Sequence, residues 1–443
     1  MENINTDVAI IGAGASGLMA GISAAIEAKR KNKCTKIVVV DHLDRVGKKI
    51  LVTGNGKCNL SNKNISINNY HSNQPETVKN ILNKFPYSYT INLFKSIGLE
   101  TKEDSLGRVY PRSEQASAVL DLLRLKFKSL SGQEITSFKI TEIKKLNSNF
   151  IITSNNKNIT AKKIIIATGG FTTPTQGCNG TGHSYLKNFG HSITTTFPSL
   201  TQIKVSEKIV KSLKGMRTFC KIYITADNNL IKEEIGELQF TENGLSGICA
   251  FQLSRIVSEF SLLKTIYGNK YNKIKIFIDL IPELSNKETL NLIKLRIKSN
   301  EYMILENFLT GIINNRVGQA LLKSCGFSFN KKVTDLSEKE ILIIANKLKL
   351  WEFTPIGTMP FKNAQVTAGG ADLSEFNKDT LESKIINGLY ACGEILDVDG
   401  DCGGFNLQWA WSSGFTAGLN AAKNIWGIND VKTIKYSARL RLQ

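Results

Sequence analysis

The first apolar run is 8–11 (VAII), bounded by Asp7 and by the turn Gly12-Ala13-Gly14-Ala15-Ser16-Gly17. A short unbroken run of this kind predicts a strand buried on both faces. Small, helix-tolerant residues follow the turn, so the pattern predicts strand, tight turn and helix. A second run, 37–40 (IVVV), ends at Asp41. Between 75 and 130 the apolar spacing becomes helical, most clearly over 116–127, with a loop at 107–112. Three strands are predicted at 135–143, 150–153 and 159–167, separated by Asn, Ser and Lys turns. The third runs into Thr168-Gly169-Gly170. A loop at 177–182 and a short helix at 185–190 follow, with His191 placed to cap that helix.

From Pro198 the texture changes. Strands of a different sheet are predicted at 201–205, 219–226, 237–241 and 273–280, and helices between 285 and 348. The chain then returns to short strands that end in glycines or acids, at 365–370 and 388–394. An acidic, glycine-rich loop over 397–404 leads into a helix over 405–425. This gives three segments: 1–195, an inserted domain over 196–352 (β part about 196–280, helical part about 281–352), and 353–443. No internal repeat or low-complexity linker occurs.

The N-terminal turn is a GxGxxG pattern, a weak signal by itself. Here it leaves a strand, opens a helix and is answered by Asp41, 24 residues after Gly17. Gly12 allows the tight turn, Gly14 lets backbone approach a pyrophosphate, and Gly17 lets helix and sheet pack closely. The helix N-terminus offers unpaired N–H groups and a positive dipole end to phosphate, and the acid grips a ribose hydroxyl. The reading is a dinucleotide site. An antiparallel insert before the last parallel strand favours FAD over NAD by analogy between folds. The stretch 45–62 is rich in Gly, Asn and Lys. It imitates a second glycine fingerprint at 54–59, but Asn59 replaces the last glycine, and Leu51 excludes a P-loop. We read it as a loop wrapping the cofactor. A helix N-terminus near Gly404, Phe405, Asn406 and Leu407 would favour the anionic N1–C2=O region of a reduced flavin.

Composition adds little to this picture. The chain has 443 residues, enough for more than one domain, with 42% hydrophobic and 21% charged residues, as in soluble globular proteins. The formal net charge of +19 raises nucleic acid as a partner. The lysines are scattered, with no long basic block and no aromatic-interleaved basic stretch, so no nucleic-acid face is expected. Eight cysteines without CxxC or Cys/His metal spacing read as reduced thiols, and no metal site is expected. No signal peptide or membrane span is predicted, since Asp7 and the glycine turn break the first apolar stretch. A cytoplasmic protein is expected.

The motifs GAGASGL, GKKILVTGNGKCNLSN, GRVYPRSEQAS, IIATGG, GELQFTENGLSG, AQVTAGGADLSEF and LESKIINGLYACGEILDVDGDCGGFNLQWAWSSGFTAG span the chain. Together they resemble the aminoacetone-oxidase-like FAD-dependent oxidoreductases of bacteria, which include bile-acid-pathway flavoproteins. The resemblance implies an α/β fold: a glutathione-reductase-type, Rossmann-like FAD domain with an inserted β domain and a helical subdomain. It implies non-covalent FAD held by Gly12, Gly14, Ala15, Ser16, Gly17, Asp41, Lys49, Thr53, Asn55, Gly56, Cys58, Asn59, Thr168, Gly169, Glu394, Asn406 and Leu407. Ala13, His42, Lys48, Ile140, Gly170, Gly404 and Phe405 complete the expected set. The chain departs from the family pattern at Lys57, usually Arg; at Glu242, often His, with Ile248 for a common Pro; and at His183-Ser184, often an acid and a glycine.

A flavin carries out hydride transfer itself, so strong acid–base motifs are unnecessary, and none is evident. Glu242 and His183 are weak catalytic candidates, each more simply read as solvated or structural. Cys392 and Cys402 are better read as packing residues than as a redox pair, and Trp409 and Trp411 as core. The leading function is an FAD-dependent oxidoreductase exchanging hydride with a small organic molecule. NAD(P)H, oxygen or a quinone is the candidate second partner; no second fingerprint exists to hold a nicotinamide nucleotide. A tRNA-modifying flavoprotein and a non-catalytic flavin sensor are the alternatives. Substrate, reaction direction and oligomeric state stay open.

Overall fold

The apolar run 8–11 lies at the centre of a parallel sheet in the computed structural model, which describes residues 2–267 and 273–425. The chain divides into two units, Met1–Thr196 with Val366–Gln443, and Phe197–Gln365. The end of the predicted third segment, 426–443, lies outside the described residues.

In the first unit, β1 (Glu2–Ile11) leads through the glycine turn into α1 (Ala15–Arg30), then β2 (Ile37–Val40). Helix α2 (Ala116–Ser129) and strands β3 (Gln133–Ile135), β4 (Ile140–Leu146), β5 (Asn149–Ser154) and β6 (Lys157–Ile166) follow. Helix α3 (Thr181–Asn188) lies beyond β6, and β7 (Leu389–Ala391) and α4 (Phe405–Lys423) come after the second unit in sequence. Strands β3, β2, β1 and β6 pair in that order, all parallel. On its far edge β6 pairs antiparallel with β5 along its first half, and parallel with β7 over Ile164, Ile165 and Ile166. The runs 8–11, 37–40 and 164–166 are all but inaccessible to solvent, as expected of strands covered on both faces. This is the Rossmann-type arrangement expected from the sequence. The carboxyl ends of β1, β2, β6 and β7 share one edge of the sheet, where ligands bind in such folds.

The second unit carries a seven-stranded sheet, with antiparallel pairing between Arg217–Ala226, Asn229–Phe240 and Ile274–Asp279. Helix Ile248–Tyr267 belongs to this unit, and so do helices Asn286–Ser299, Asn315–Ser324 and Glu338–Lys349. Two of them start in capping boxes, Ser285 with Glu288 and Ser337 with Glu340. Lys349 and Asp279 form a buried ion pair at 2.6 Å that ties the last of these helices to the sheet.

Local structure corrects the sequence reading in several places: the strand predicted at 135–143 is two, β3 and β4, and the loop predicted at 107–112 holds a strand, Arg108–Pro111. Helix α3 begins at Thr181, not 185, because Asn179 Oδ1 accepts from the Thr181 amide (3.2 Å) and hydroxyl (2.8 Å) and starts the turn early. The His191 side chain does not cap α3. Only its backbone N–H closes the helix, on Leu186 O, while its ring, buried and stacked on Phe376, bridges Glu375 and Ser383 at 2.8 Å each. The wrapping loop contains a short helix, Lys48–Val52, and a tight turn, Thr53–Gly56.

Glycine sets the spacing of the first unit. A Cβ at Gly17 would sit 1.8 Å from Gly12 O, one at Gly414 2.4 Å from Ser16 O, and one at Gly418 2.0 Å from Ala20 O. Helices α1 and α4 therefore touch backbone to backbone and run in the same direction, with residue 414 beside 16 and 418 beside 20. At 1.5 Å of rise per residue, α4 begins about 12 Å before the level of Ala15. Two helix N-termini are thus staggered along one line. Gly418→Ala has to push these helices apart. It should cost about 1–3 kcal/mol, as overpacking does, and lower flavin retention, measured by urea unfolding and by bound-flavin absorbance.

Candidate active site

The turn after β1 is built as a phosphate cradle. Gly12 has φ +103°, and a Cβ at Gly14 would meet nothing within 4 Å, so the space beside that backbone is open. Asp41, at the end of β2, accepts from the Ala13 amide on Oδ2 (3.0 Å) and from the Leu43 amide on Oδ1 (2.9 Å). Each carboxylate oxygen keeps a further lone-pair site for a sugar hydroxyl. His42 lies beside it, Nδ1 to Oδ1 at 3.5 Å. The open backbone at Gly14 and the spare acceptor capacity of Asp41 fit a bound dinucleotide.

Four segments meet at Glu394. Lys49 Nζ donates to Glu394 Oε2 (2.6 Å) and to Thr172 Oγ1 (2.8 Å). The Thr172 hydroxyl (3.1 Å) and the Thr367 amide (2.9 Å) donate to Glu394 Oε1. Burial pushes the Glu394 carboxyl upward, but the Lys49 ammonium and the Thr367 hydrogen bonds outweigh it and hold it below the usual carboxylate range. For Lys49, burial opposes the charge and Glu394 more than restores it. Gly170 packs here too, where a Cβ would sit 2.3 Å from Thr367 Oγ1. The sequence reading named Lys49, Gly170 and Glu394 but missed Thr172 and Thr367. Thr367 lies in the strand that ends at Gly369-Gly370, and that strand-to-glycine pattern was its one available signal.

The remaining expected contacts divide by what their side chains do. Ser16 is buried and donates to Cys392 O at 3.4 Å; Ala15 follows the turn at the start of α1. Thr53 donates back to Ile50 O. Asn55 and Gly56 are exposed on the turn, both with positive φ. Cys58 points into the core, where burial pushes its thiol up to about 12, so only its backbone faces the loop. Asn59 bridges to the far helix: with both ends of its amide satisfied, it accepts from the Gly404 amide (3.1 Å) and donates to Ser61 O (3.1 Å). Lys48 pairs with Asp44 and Lys57 with Glu114. Ile140 opens β4, its carbonyl accepting from the Tyr185 hydroxyl. Gly169 has a left-handed backbone beside Cys178.

At the second helix terminus, Gly404 has φ +99°, and its Cβ would meet Ser61 O at 2.4 Å. Asn406 is not free to reach a flavin with its side chain. Its Oδ1 accepts from the Gly400 amide (2.8 Å), and its Nδ2 donates to Gly400 O and Asp401 O. The clamp leaves its backbone, with that of Phe405 and Leu407, as what the helix start can offer. Phe405 packs edge-on against Tyr70. Trp409 and Trp411 are core, their indoles donating to Gly393 O and Leu60 O. Cys392 is buried, its thiol pushed up to about 12 by burial. Glu242, in the second unit, is half-exposed and paired with Lys214 at 2.8 Å, as a solvated surface carboxylate is. His183, in the first unit, is buried. No described helix is long and apolar enough to cross a membrane.

The model of the HI0933-like protein Rossmann domain matches residues 6–420. The chain belongs to this family. It is 36% identical over 418 residues to the 3-dehydro-bile acid delta(4,6)-reductase of Clostridium scindens, covering 94% of this chain and 99% of that protein. It is 27% identical over 420 residues to the ribosomal RNA dihydrouridine synthase of Haemophilus influenzae, covering 94% and 98%. Among solved structures it resembles a quinol-fumarate reductase with menaquinol molecules, at TM-score 0.50 and 14% identity over 96% of this chain and 72% of that one. That likeness concerns the fold alone. This member of the family is an FAD-dependent oxidoreductase.

Asp41→Ala should weaken FAD retention by about 1–3 kcal/mol, the range for charged hydrogen bonds; Asp41→Asn, which keeps one acceptor oxygen, should lose less, as read by equilibrium dialysis. Lys49→Met should destabilise the protein by about 1–3 kcal/mol by leaving Glu394 without its cation, and Lys49→Met with Glu394→Gln should recover part of that. Because the folded state lowers the Glu394 pKa, its contribution is present above the unfolded value of about 4.3 and lost as pH falls through the folded one. Glu394→Gln should therefore flatten the acid limb of a stability–pH curve.

Proposed function

We propose that the chain reduces a carbon–carbon double bond conjugated to a carbonyl in a small organic molecule. One observation carries the reading: two relatives matched over 94% of the chain have names that describe this one kind of step. One saturates double bonds of a 3-oxo bile acid, and the other converts uridine to dihydrouridine. The name of the relative at 36% identity favours a 4-ene-3-oxo compound over the amine oxidation in the family resemblance.

FAD, when bound, supplies the hydride to the β-carbon; a proton completes the α-carbon, and NAD(P)H is the proposed reductant that restores the flavin. The chain's own residues bind and orient. The turn at Gly12, Ala13, Gly14, Ala15, Ser16 and Gly17 takes the pyrophosphate with backbone amides, and Asp41 takes the adenosine ribose. The loop from Lys48 to Asn59 and the end of β6 enclose the cofactor. The start of α4 directs partial positive charge toward the flavin pyrimidine, which favours its reduced anion. We assign substrate selection to the unit Phe197–Gln365. The alternative substrate is a uridine in ribosomal RNA, which the net charge of +19 would attract.

The test is anaerobic. The bound flavin is photoreduced, then offered a 4-ene-3-oxo steroid acid or ribosomal RNA from cells lacking dihydrouridine, while a separate sample with oxidised flavin is offered a short amine. Rapid reoxidation by the steroid, with a product two mass units heavier per reduced bond, is the expected result. Reoxidation by RNA alone, with dihydrouridine formed, would transfer the activity to nucleic acid. Flavin reduction by the amine under oxidised conditions would replace double-bond reduction altogether.

A further inference from the structure

The strand Arg108–Pro111 belongs to a small antiparallel sheet of the first unit, between Ser61–Asn62 and Thr101–Glu103. Hydrogen bonds tie this sheet to the start of α4. Asn62, opposite Arg108, donates from Nδ2 to Gly403 O (2.9 Å). Asn59 accepts from the Gly404 amide (3.1 Å) and donates to Val109 O (3.3 Å). Side chains alternate along a strand. Val109 and Pro111 are buried, so Arg108 and Tyr110 share the opposite face, where both are half-buried. The Tyr110 ring reaches the turn Thr53–Gly56, where a Cβ on Gly54 would sit 3.5 Å from its Cε1. One phenol is thus held where the wrapping loop and the loop before α4 are joined, and both of these segments are assigned above to the cofactor.

The Tyr110 hydroxyl has no hydrogen-bond partner among the described residues. Burial holds its phenol above the ordinary range, and Asp104 and Cys402 add to the rise, while Arg108 and Lys57 pull the other way. The group therefore carries its proton at pH 7, and two cations stand ready to steady the phenolate left when the proton goes. Saturating a conjugated double bond needs such a group, since a hydride at the β-carbon must be matched by a proton at the α-carbon. Glu394 has no proton to give, because Lys49 and Thr367 hold it ionised, and the Lys49 ammonium is committed to Glu394 and Thr172. Resting on the double-bond reading above, we propose that Tyr110 is the catalytic acid of the reaction. Its O–H bond breaks, a C–H bond forms at the α-carbon, and solvent returns a proton to the phenolate. Tyr110 passes no electrons: the pair that reduces the substrate arrives with the hydride, and NAD(P)H stays its source.

The experiment compares wild type, Tyr110→Phe and Cys402→Ser, each loaded with FAD and photoreduced without oxygen. Two acceptors are offered: the 4-ene-3-oxo steroid acid, and a nitroalkene, whose product leaves as a stable nitronate anion and needs no proton from the protein. Tyr110→Phe should slow reoxidation by the steroid about 100-fold or more, with FAD content and reoxidation by the nitroalkene as in wild type. A second readout needs no turnover. Nitration of Tyr110 by tetranitromethane, followed by peptide mapping, should slow when the saturated 3-oxo product is added to the FAD-loaded wild type. Wild type that the steroid does not reoxidise overturns the double-bond reading, and this proposal with it. A wild type that works and a Tyr110→Phe that keeps pace with it overturn the assignment alone, as does a loss confined to Cys402→Ser. Equal slowing with both acceptors marks Tyr110 as a structural support, and nitration indifferent to product places it away from the substrate; either result also overturns the proposal.

Discussion

The backbone contact between α1 and α4 fixes more of this molecule than any polar interaction does. Gly17, Gly414 and Gly418 leave no room for a methyl group, so the two helices and the first turn form one rigid piece. Their common direction places two positive helix ends on the same side of the sheet. One faces the turn after β1, and the other starts farther out along the same line. A cofactor with a pyrophosphate at one end of a flexible chain and a ring that becomes anionic at the other matches that stagger. The dipole argument for each terminus is generic; the spacing between them belongs to these glycines.

The Glu394 cluster does for the opposite wall what glycine does for the helices. Residues 49, 172, 367 and 394 are remote in sequence, and three of them converge through hydrogen bonds on one carboxylate. Partial burial makes those bonds stronger and their loss costlier than on an open surface. Thr367 also accepts from the Phe171 amide. The segment after β6 and the strand before Gly369-Gly370 are thereby locked together. The second unit enters the chain between these two segments, so an insertion of 169 residues leaves the cradle's geometry to be set locally.

The central strands were legible because unbroken apolar runs have few other uses, and the glycine turn because strand, turn, helix and acid occurred together. Side-chain roles in the candidate site were less so. Asn406 and Cys58 sit at positions that the resemblance marks for flavin contact. Their side chains are committed elsewhere, one to the loop at 400–401 and one to the core. Residue type at a motif position does not say whether backbone or side chain faces the ligand. Thr172 and Thr367 were invisible for the opposite reason. A threonine on a strand or loop has no pattern to distinguish it until its partner, 222 residues away for Thr172 and 27 for Thr367, is known to be near. The early start of α3 was missed because glycines at 180 and 182 argue against a helix, and one asparagine side chain overrode them.

The departures from the family pattern can be sorted by environment. Lys57 is half-exposed and paired with Glu114, and Glu242 is half-exposed and paired with Lys214. Ile248 is 44% exposed at the start of its helix. Each of these replacements meets solvent, which can absorb a change of charge or shape at little cost. His183 cannot be absorbed in that way. An imidazole in place of an acid keeps a polar group in the core but exchanges a charge for a neutral donor and acceptor. It does so where a ring stacks on it and burial holds it neutral. Of the four departures, this is the one at which the chain altered the chemistry of a buried position. A difference in what this protein binds is therefore to be sought at the start of α3 before the surface of the second unit.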